Sequence, residues 1–142
     1  MKILIAVDGS KYSLDAVSNL IGHADWYRGP LEVELIYVNP PLPYGGRAGA
    51  VIGKKQIARY YQEEGEAALI RARKMLDAAG VRYAAHILVG PVAESIVQQA
   101  KALKCDLIFI GTHGRTTASN MLLGSVANKV LHIAKVPVLL VK

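Results

Sequence analysis

Residues 106–130 read DLIFIGTHGRTTASNMLLGSVANKV. The stretch begins with an apolar run typical of a buried strand, passes glycines at 111 and 114, and reaches a Gly-Ser pair at 124–125 before an amphipathic segment. It therefore predicts a strand, a glycine-rich loop and a helix, in that order. In an open parallel sheet, the loop after a strand lies at the carboxyl edge, where ligands bind.

The same succession of strand and helix runs along the rest of the chain. The strand candidates are 2–7, 31–38, 81–89, 106–111 and 137–141. Amphipathic segments alternate strictly with them, and this alternation produces right-handed βαβ units and a parallel sheet with helices on both faces. The predicted class is therefore α/β, as a single domain over residues 1–142.

Polarity separates the central strands from the edges of this sheet. The runs ILIAV (3–7) and LIFI (107–110) are apolar on both faces, as central strands of a parallel sheet are. Segment 81–89 carries Arg82 and His86 on one face, which indicates an edge strand.

Single residues mark the helix boundaries and the loops. Ser10 or Ser13 can cap the first helix, and Gly80 ends the second one. Gly65 lies inside that second helix, where glycine costs about 1 kcal/mol relative to Ala, and the sequence suggests no function for it. Residues 39–55 hold three prolines and four glycines without a period and predict one long loop, the kind that often forms a lid or a binding loop.

Charge and cysteine content restrict the functional class. A net charge of +6 suggests an anionic partner, but the 17 Lys and Arg are scattered, so nucleic-acid binding is not expected. The single cysteine, Cys105, adjoins an apolar run and is predicted to be a buried thiol. The opening MKILIAVDGS is too short and too early-charged for a signal peptide or a membrane span, which predicts a cytoplasmic protein with no membrane segment.

Two loops at the carboxyl edge of the predicted sheet can hold phosphate: residues 8–10 and the loop that starts at Gly111. Backbone N–H groups at a helix N-terminus favour an anion, and glycine permits its close approach. Gly124 and Ser125 would open a helix facing this crevice. The structural alternative makes Gly111 and Gly114 only a strand exit and a turn, and Ser125 only an N-cap.

Gly111, Gly114, Gly124 and Ser125 match the spacing G-x2-G-x9-G-[ST], and through it the chain resembles the ATP-binding universal stress proteins. MKILIAVDGS, LIYV and VPVLLV resemble the first, second and last strands of that family, so the resemblance covers the whole chain. It implies an adenine-nucleotide α-hydrolase-like fold with strand order 3-2-1-4-5 and a nucleotide between the ends of strands one and four. It also implies a homodimer through the last strand, residues 137–141, which would cover an exposed sheet edge.

The resemblance also implies a set of nucleotide-binding residues. Asp8 would face the ribose or the adenine, and the backbone around Val38 would bond the adenine edge. The glycines at 111 and 114 would line the ribose and phosphates, and residues 124–126 would cradle the phosphates. The full predicted set is Val7, Asp8, Gly9, Ser10, Val38, Gly111, Thr112, His113, Gly114, Arg115, Gly124, Ser125 and Val126.

Some of these residues have a structural interpretation as well. Asp8 can be a turn residue or a cap for the first helix, and Val38 can also be a core residue. His113 and Arg115 can be solvated loop charges, with Arg115 the better candidate for a phosphate contact.

The predicted function is that of an ATP-binding module that changes state or partner in a stress response. ATP is the expected ligand, ADP and AMP are left open, and Mg²⁺ can accompany the phosphates beside Asp8. No catalytic residue is predicted, because the chain lacks GxxxxGK[ST] and both the SGGxDS and HxGH signatures of related α-hydrolase enzymes. Slow ATP hydrolysis and a nucleotide-free interaction scaffold are the alternatives, and no metal ligands are assigned.

Overall fold

The computed structural model describes residues 1–43, 53–115 and 122–142. In these ranges the strands are β1 (Lys2–Ala6), β2 (Glu32–Asn39), β3 (Tyr83–Val89), β4 (Leu107–Gly111) and β5 (Val138–Val141). The α-helices are α1 (Lys11–Gly22), α2 (Lys54–Ala78), α3 (Val92–Ala102) and α4 (Ser125–Ile133), and a short 3-10 helix spans Ala24–Trp26. Residues 44–52 of the predicted long loop and residues 116–121 of the glycine motif lie outside the described residues.

All strand pairs are parallel, and the sheet order is β3-β2-β1-β4-β5. The predicted α/β class and the order 3-2-1-4-5 are therefore confirmed. The order changes direction between β1 and β4, so the two loops predicted to hold phosphate lie side by side at one edge of the sheet.

Each face of the sheet is covered by a pair of helices. Ile3 and Ile5 belong to the core beneath α1 and α2, whereas Leu4 belongs to the core beneath α3 and α4. All three side chains are fully buried. Because successive side chains of a strand point to opposite faces, the continuous apolar run of β1 fills both cores.

The edge position predicted for β3 is confirmed, but one of its two signals lies outside the strand. β3 begins at Tyr83, so Arg82 precedes it. His86 is half-buried, and its Nε2 lies 2.7 Å from Oε2 of the buried Glu34 on β2. The polar residue that suggested an edge therefore makes a cross-strand hydrogen bond.

Three helix signals of the sequence have clear structural roles. Ser10 is the N-cap of α1, which decides between the two serines, and Gly80 follows the end of α2 with a φ of +66°. Gly65 is buried, and a Cβ added to it would lie 2.7 Å from Cδ1 of Ile87 on β3. The glycine inside α2 thus allows the helix to pack closely on the sheet, a role that the sequence did not indicate.

Cys105 is buried, as predicted. Burial raises the pKa of its thiol to about 11, with the nearby Glu34 carboxylate adding to the shift. Across the described ranges, no helix combines the length and the apolar character needed to cross a membrane.

Candidate functional site

A cavity of about 590 Å³ opens at the carboxyl edge of the sheet, beyond the ends of β1, β2 and β4. Among the predicted residues, its walls include Val7, Asp8, Val38, Gly111, His113, Gly114, Arg115, Gly124, Ser125 and Val126. The predicted residues Gly9, Ser10 and Thr112 do not line it. The fold thus brings three strand ends and the N-terminus of α4 together at the point where the strand order reverses, the position at which open α/β sheets bind ligands.

The turn between β1 and α1 is closed by its own hydrogen bonds. Asp8 Oδ1 accepts from the Ser10 N–H at 2.9 Å, and Ser10 Oγ accepts from the Ser13 N–H at 3.3 Å. Gly9 has a φ of +79°, the left-handed conformation that glycine adopts without strain. Gly9 and Ser10 therefore shape the turn from behind the cavity wall.

Gly111 at the end of β4 and Gly114 just after it stand where the fold leaves no room for a Cβ. A Cβ on Gly111 would lie 2.6 Å from the carbonyl oxygen of Tyr12, because the first turn of α1 packs directly on the end of β4. A Cβ on Gly114 would lie 2.9 Å from Asp8 Oδ2. Neither glycine has a positive φ. The loop after β4 therefore packs directly against the turn after β1. Its glycines are needed for this close contact and not for a left-handed backbone conformation.

The N-terminus of α4 reaches the cavity without a side-chain cap. Gly124 occupies the N-cap position and Ser125 is the first helical residue, so the alternative in which Ser125 is the N-cap is wrong. The Gly124 N–H donates to the Thr112 carbonyl at 2.7 Å, which ties the helix start to the end of β4. Asn128 N–H bonds back to the Gly124 carbonyl at 3.0 Å. This is the first hydrogen bond within α4, so the N–H groups of residues 125–127 have no partner inside the helix. These three residues line the cavity.

The end of β2 contributes backbone N–H and C=O groups to the cavity. The Val7 N–H donates to the Ile36 carbonyl at 2.9 Å. Alternate residues of a strand direct their backbone groups to the same side, so the N–H and C=O of Val38 point past the end of β1. The Val38 side chain belongs to the core beneath α3 and α4. Its position therefore agrees with both sequence interpretations, as a core residue and as a backbone contact.

Asn39 is a cavity residue that was not predicted from the sequence. It is buried, and its Nδ2 donates to the carbonyls of Tyr61 and Leu88, each at 3.2 Å. The amide thereby links the end of β2 to α2 and β3 at the cavity wall. A polar residue that closes an apolar strand directly before Pro40 is the signal that could have identified it.

Arg115 lies across the α2 side of the cavity. Its backbone N–H donates to Asp8 Oδ2 at 3.1 Å, and its Nε donates to the Asp8 carbonyl. Its Nη1 lies 3.7 Å from Glu64 Oε2, and its Cζ lies 5.7 Å from the ring centre of Tyr37. Burial raises the pKa of the Tyr37 phenol, and the charge of Arg115 opposes that shift. The guanidinium is therefore held by protein groups and is not a freely solvated loop charge.

Two neighbours of the motif glycines support the loop from different sides. His113 lines the cavity, with its Nδ1 3.1 Å from Thr112 Oγ1 and its ring centre 4.9 Å from that of Tyr12. Thr112 is buried, and its N–H donates to the Val141 carbonyl at 2.9 Å. Thr112 thus continues the pairing of β4 with β5 beneath the loop.

The acidic residue predicted beside the phosphates is already bonded. Both carboxylate oxygens of Asp8 accept backbone N–H groups, from Ser10 and Arg115. Among the residues that the structure describes, no group of three or more His, Cys, Asp or Glu side chains can hold a metal ion. These residues do not fit a Mg²⁺ ion that is held by the protein alone.

Comparison with known proteins agrees with this architecture. A model of the universal stress protein family matches residues 1–142. Universal stress protein MJ0531 of Methanocaldococcus jannaschii is 40% identical over 141 residues, which cover 99% of this chain and 81% of that protein.

Two solved structures extend the comparison to the fold. That of MJ0577 from the same organism has a TM-score of 0.81 at 30% identity and covers 99% of this chain and 94% of the other. The universal stress protein from Archaeoglobus fulgidus, solved in complex with dAMP, has a TM-score of 0.66 at 26% identity and covers 100% of this chain and 98% of the other. The fold is therefore adenine-nucleotide α-hydrolase-like. The match over the whole chain and the 40% identity show that this chain belongs to the universal stress protein family.

Proposed function

We propose that this chain binds an adenine nucleotide, principally ATP, in the cavity at the carboxyl edge of the sheet, and that it acts as a nucleotide-dependent module of a stress response. The observation that carries the proposal is the N-terminus of α4, where the N-cap Gly124 makes no side-chain bond and residues 125–127 line the cavity. Such a terminus favours an anion through its N–H groups and the helix dipole. The dAMP complex of the Archaeoglobus relative supports the choice of an adenine nucleotide.

The base is assigned to the end of β2. Val38 offers a backbone N–H beside a backbone C=O, both pointing past the end of β1. Adenine carries a ring-nitrogen acceptor beside an amino donor, which complements this pair, whereas guanine carries a carbonyl acceptor where adenine carries the amino group. A site of this kind discriminates against the mismatched base because a polar group is left unpaired. We therefore expect ATP to bind more tightly than GTP.

The test is thermal unfolding of nucleotide-free protein with millimolar ATP, AMP or GTP and Mg²⁺. A ligand at 100 times its Kd stabilises by about 2.7 kcal/mol, which for a chain of this size raises Tm by roughly 5 to 10 °C. The expected result is a rise with ATP, a smaller rise with GTP, and loss of the ATP effect in Gly114→Val, whose side chain would displace the Asp8 carboxylate.

Gly22→Val is the matched control, because a Cβ at the end of α1 would meet no atom within 4 Å beyond its own turn of the helix. This variant should respond to ATP as the original protein does. No rise with any nucleotide, in protein shown to be folded and nucleotide-free, would contradict the proposal and favour the nucleotide-free scaffold.

Phosphate release in the same samples measures whether ATP is hydrolysed, and cell fractionation tests the predicted cytoplasmic location.

We also propose that the protein is a homodimer through β5. Among the strands that the structure describes, β5 pairs only with β4, and Leu139 at its middle is 37% exposed. A second copy would cover this edge. Sedimentation should give twice the chain mass of 15.3 kDa, and Leu139→Lys should give the monomer. Val89→Lys on the opposite edge strand, where Val89 is 48% exposed, should remain dimeric; a monomer in that variant as well would contradict the assignment to β5.

A further inference from the structure

The Arg115 guanidinium at the cavity wall is paired with the Glu64 carboxylate. Among the described residues that line the cavity, Arg115 is the only Lys or Arg, while Asp8 and Glu64 are acidic. Arg115 Nη1 lies 3.7 Å from Glu64 Oε2. The described wall therefore carries more negative than positive charge, although the proposed ligand is an anion.

Glu64 differs from the other glutamates of its helix. Glu63 pairs with Arg59, one turn away, and Glu66 pairs with Arg73, so both of these ion pairs stay within α2. Glu64 instead reaches across to the loop after β4 and lines the cavity. Among the acidic residues of α2, Glu64 is the one that lines the proposed nucleotide cavity.

A phosphate group can replace Glu64 as the partner of Arg115. The side chains are 41% and 46% exposed, and exposed ion pairs contribute little stability. Arg115 has further anchors in the Asp8 carbonyl and the Tyr37 ring, which keep the guanidinium at the cavity wall when Glu64 releases it. A phosphate group can form a charge-assisted, bidentate contact with the same guanidinium.

We propose that Glu64 is a specificity-determining residue that limits how strongly the site prefers ATP over AMP, because it competes with the added phosphates for Arg115. This inference rests on the proposed nucleotide-binding function. ATP has two more phosphoryl groups than AMP, so the competition weakens ATP binding more than AMP binding. The site is thereby set to respond to both nucleotides and is not restricted to the more highly charged one.

The experiment measures Kd for ATP and AMP by calorimetry in single and double variants. Glu64→Gln removes the charge at nearly constant size and should raise the ratio of ATP to AMP affinity about fivefold, the size expected of a partly exposed charge pair. Glu64→Ala should shift the ratio in the same direction. Arg115→Gln should weaken ATP binding, and Glu64→Gln added to it should have no further effect on the ratio.

Glu63→Gln is the matched control, since it makes the same charge change on the same helix at a residue that is paired with Arg59 and does not line the cavity. Its affinity ratio should equal that of the original protein. An unchanged ratio in both Glu64 variants, or an effect that persists without Arg115, would overturn the inference while leaving nucleotide binding intact. Absence of binding in the original protein would overturn the proposed function, and the inference with it.

Discussion

Two of the helices that begin at the carboxyl edge of this sheet, α1 and α4, have N-termini that are built differently. At α1, Ser10 Oγ accepts from the Ser13 N–H, and the Asp8 carboxylate accepts from the Ser10 N–H. At α4, the N-cap is Gly124, which makes no side-chain bond. A serine side chain accepts from one of the first N–H groups of α1, whereas no side chain caps α4, so these two helix starts have different capacities for an anion.

The difference lies in where serine stands relative to the helix start. Ser10 precedes α1 and caps it, whereas Ser125 is the first residue of α4. A hydroxyl at the N-cap is used by the helix, while one at the first helical position can bond a ligand. Serine near a glycine-rich turn is therefore not evidence for a phosphate site until its place relative to the helix is known.

The largest effect on the comparison is expected from Gly111→Ala. The added Cβ would lie 2.6 Å from the Tyr12 carbonyl oxygen, so it would press on the first turn of α1. Overpacking of this kind costs about 1 to 3 kcal/mol, or roughly 3 to 12 °C in Tm at this chain length. Thermal unfolding measures it, and Gly22→Ala, with open space around its Cβ, is the control. If both variants melt at the original temperature, Gly111 does not hold α1 in place.

A smaller effect is expected from removing either serine, with a different readout for each. Ser10→Ala should lower stability by about 1 kcal/mol through loss of the cap and leave the ATP affinity unchanged. Ser125→Ala should keep stability within about 0.5 kcal/mol and weaken ATP binding about fivefold, the size of one hydrogen bond. Denaturant unfolding and calorimetry on both variants measure the two quantities. Equal loss of affinity in both would remove the distinction between the termini.

Much of the fold could be predicted because its signals are local. The apolar runs of β1 and β4 and the alternation of strands with helices predict a parallel α/β sheet, and burial of Cys105 follows from its apolar neighbours. The strand order came from the family resemblance, since alternation alone does not determine which strands are neighbours. The predicted start of β3 was too early because Val81 and Arg82 alternate in polarity as strand residues do, although β3 begins at Tyr83 and Arg82 only accepts from the Val33 N–H.

The contacts that shape the site could not be predicted in the same way. The motif marks Gly111 and Gly114, but not that Tyr12 and Asp8 are the groups that leave no room for a Cβ. Glu64 gives no local signal, because one turn of a long charged helix resembles the next. Its contact with Arg115 joins residues that are distant in sequence and depends on how α2 packs on the sheet.

Amide NMR shifts with saturating AMP and with saturating adenosine decide whether the phosphate binds at α4 or at α1. The difference between the two spectra isolates the phosphate, since base and ribose are common to both. If α4 receives the phosphate, the amide resonances of Ser125 and Val126 differ strongly between the two complexes, while those of Lys11 and Tyr12 change little. Strong differences at Lys11 and Tyr12 with none at Ser125 and Val126 would contradict it.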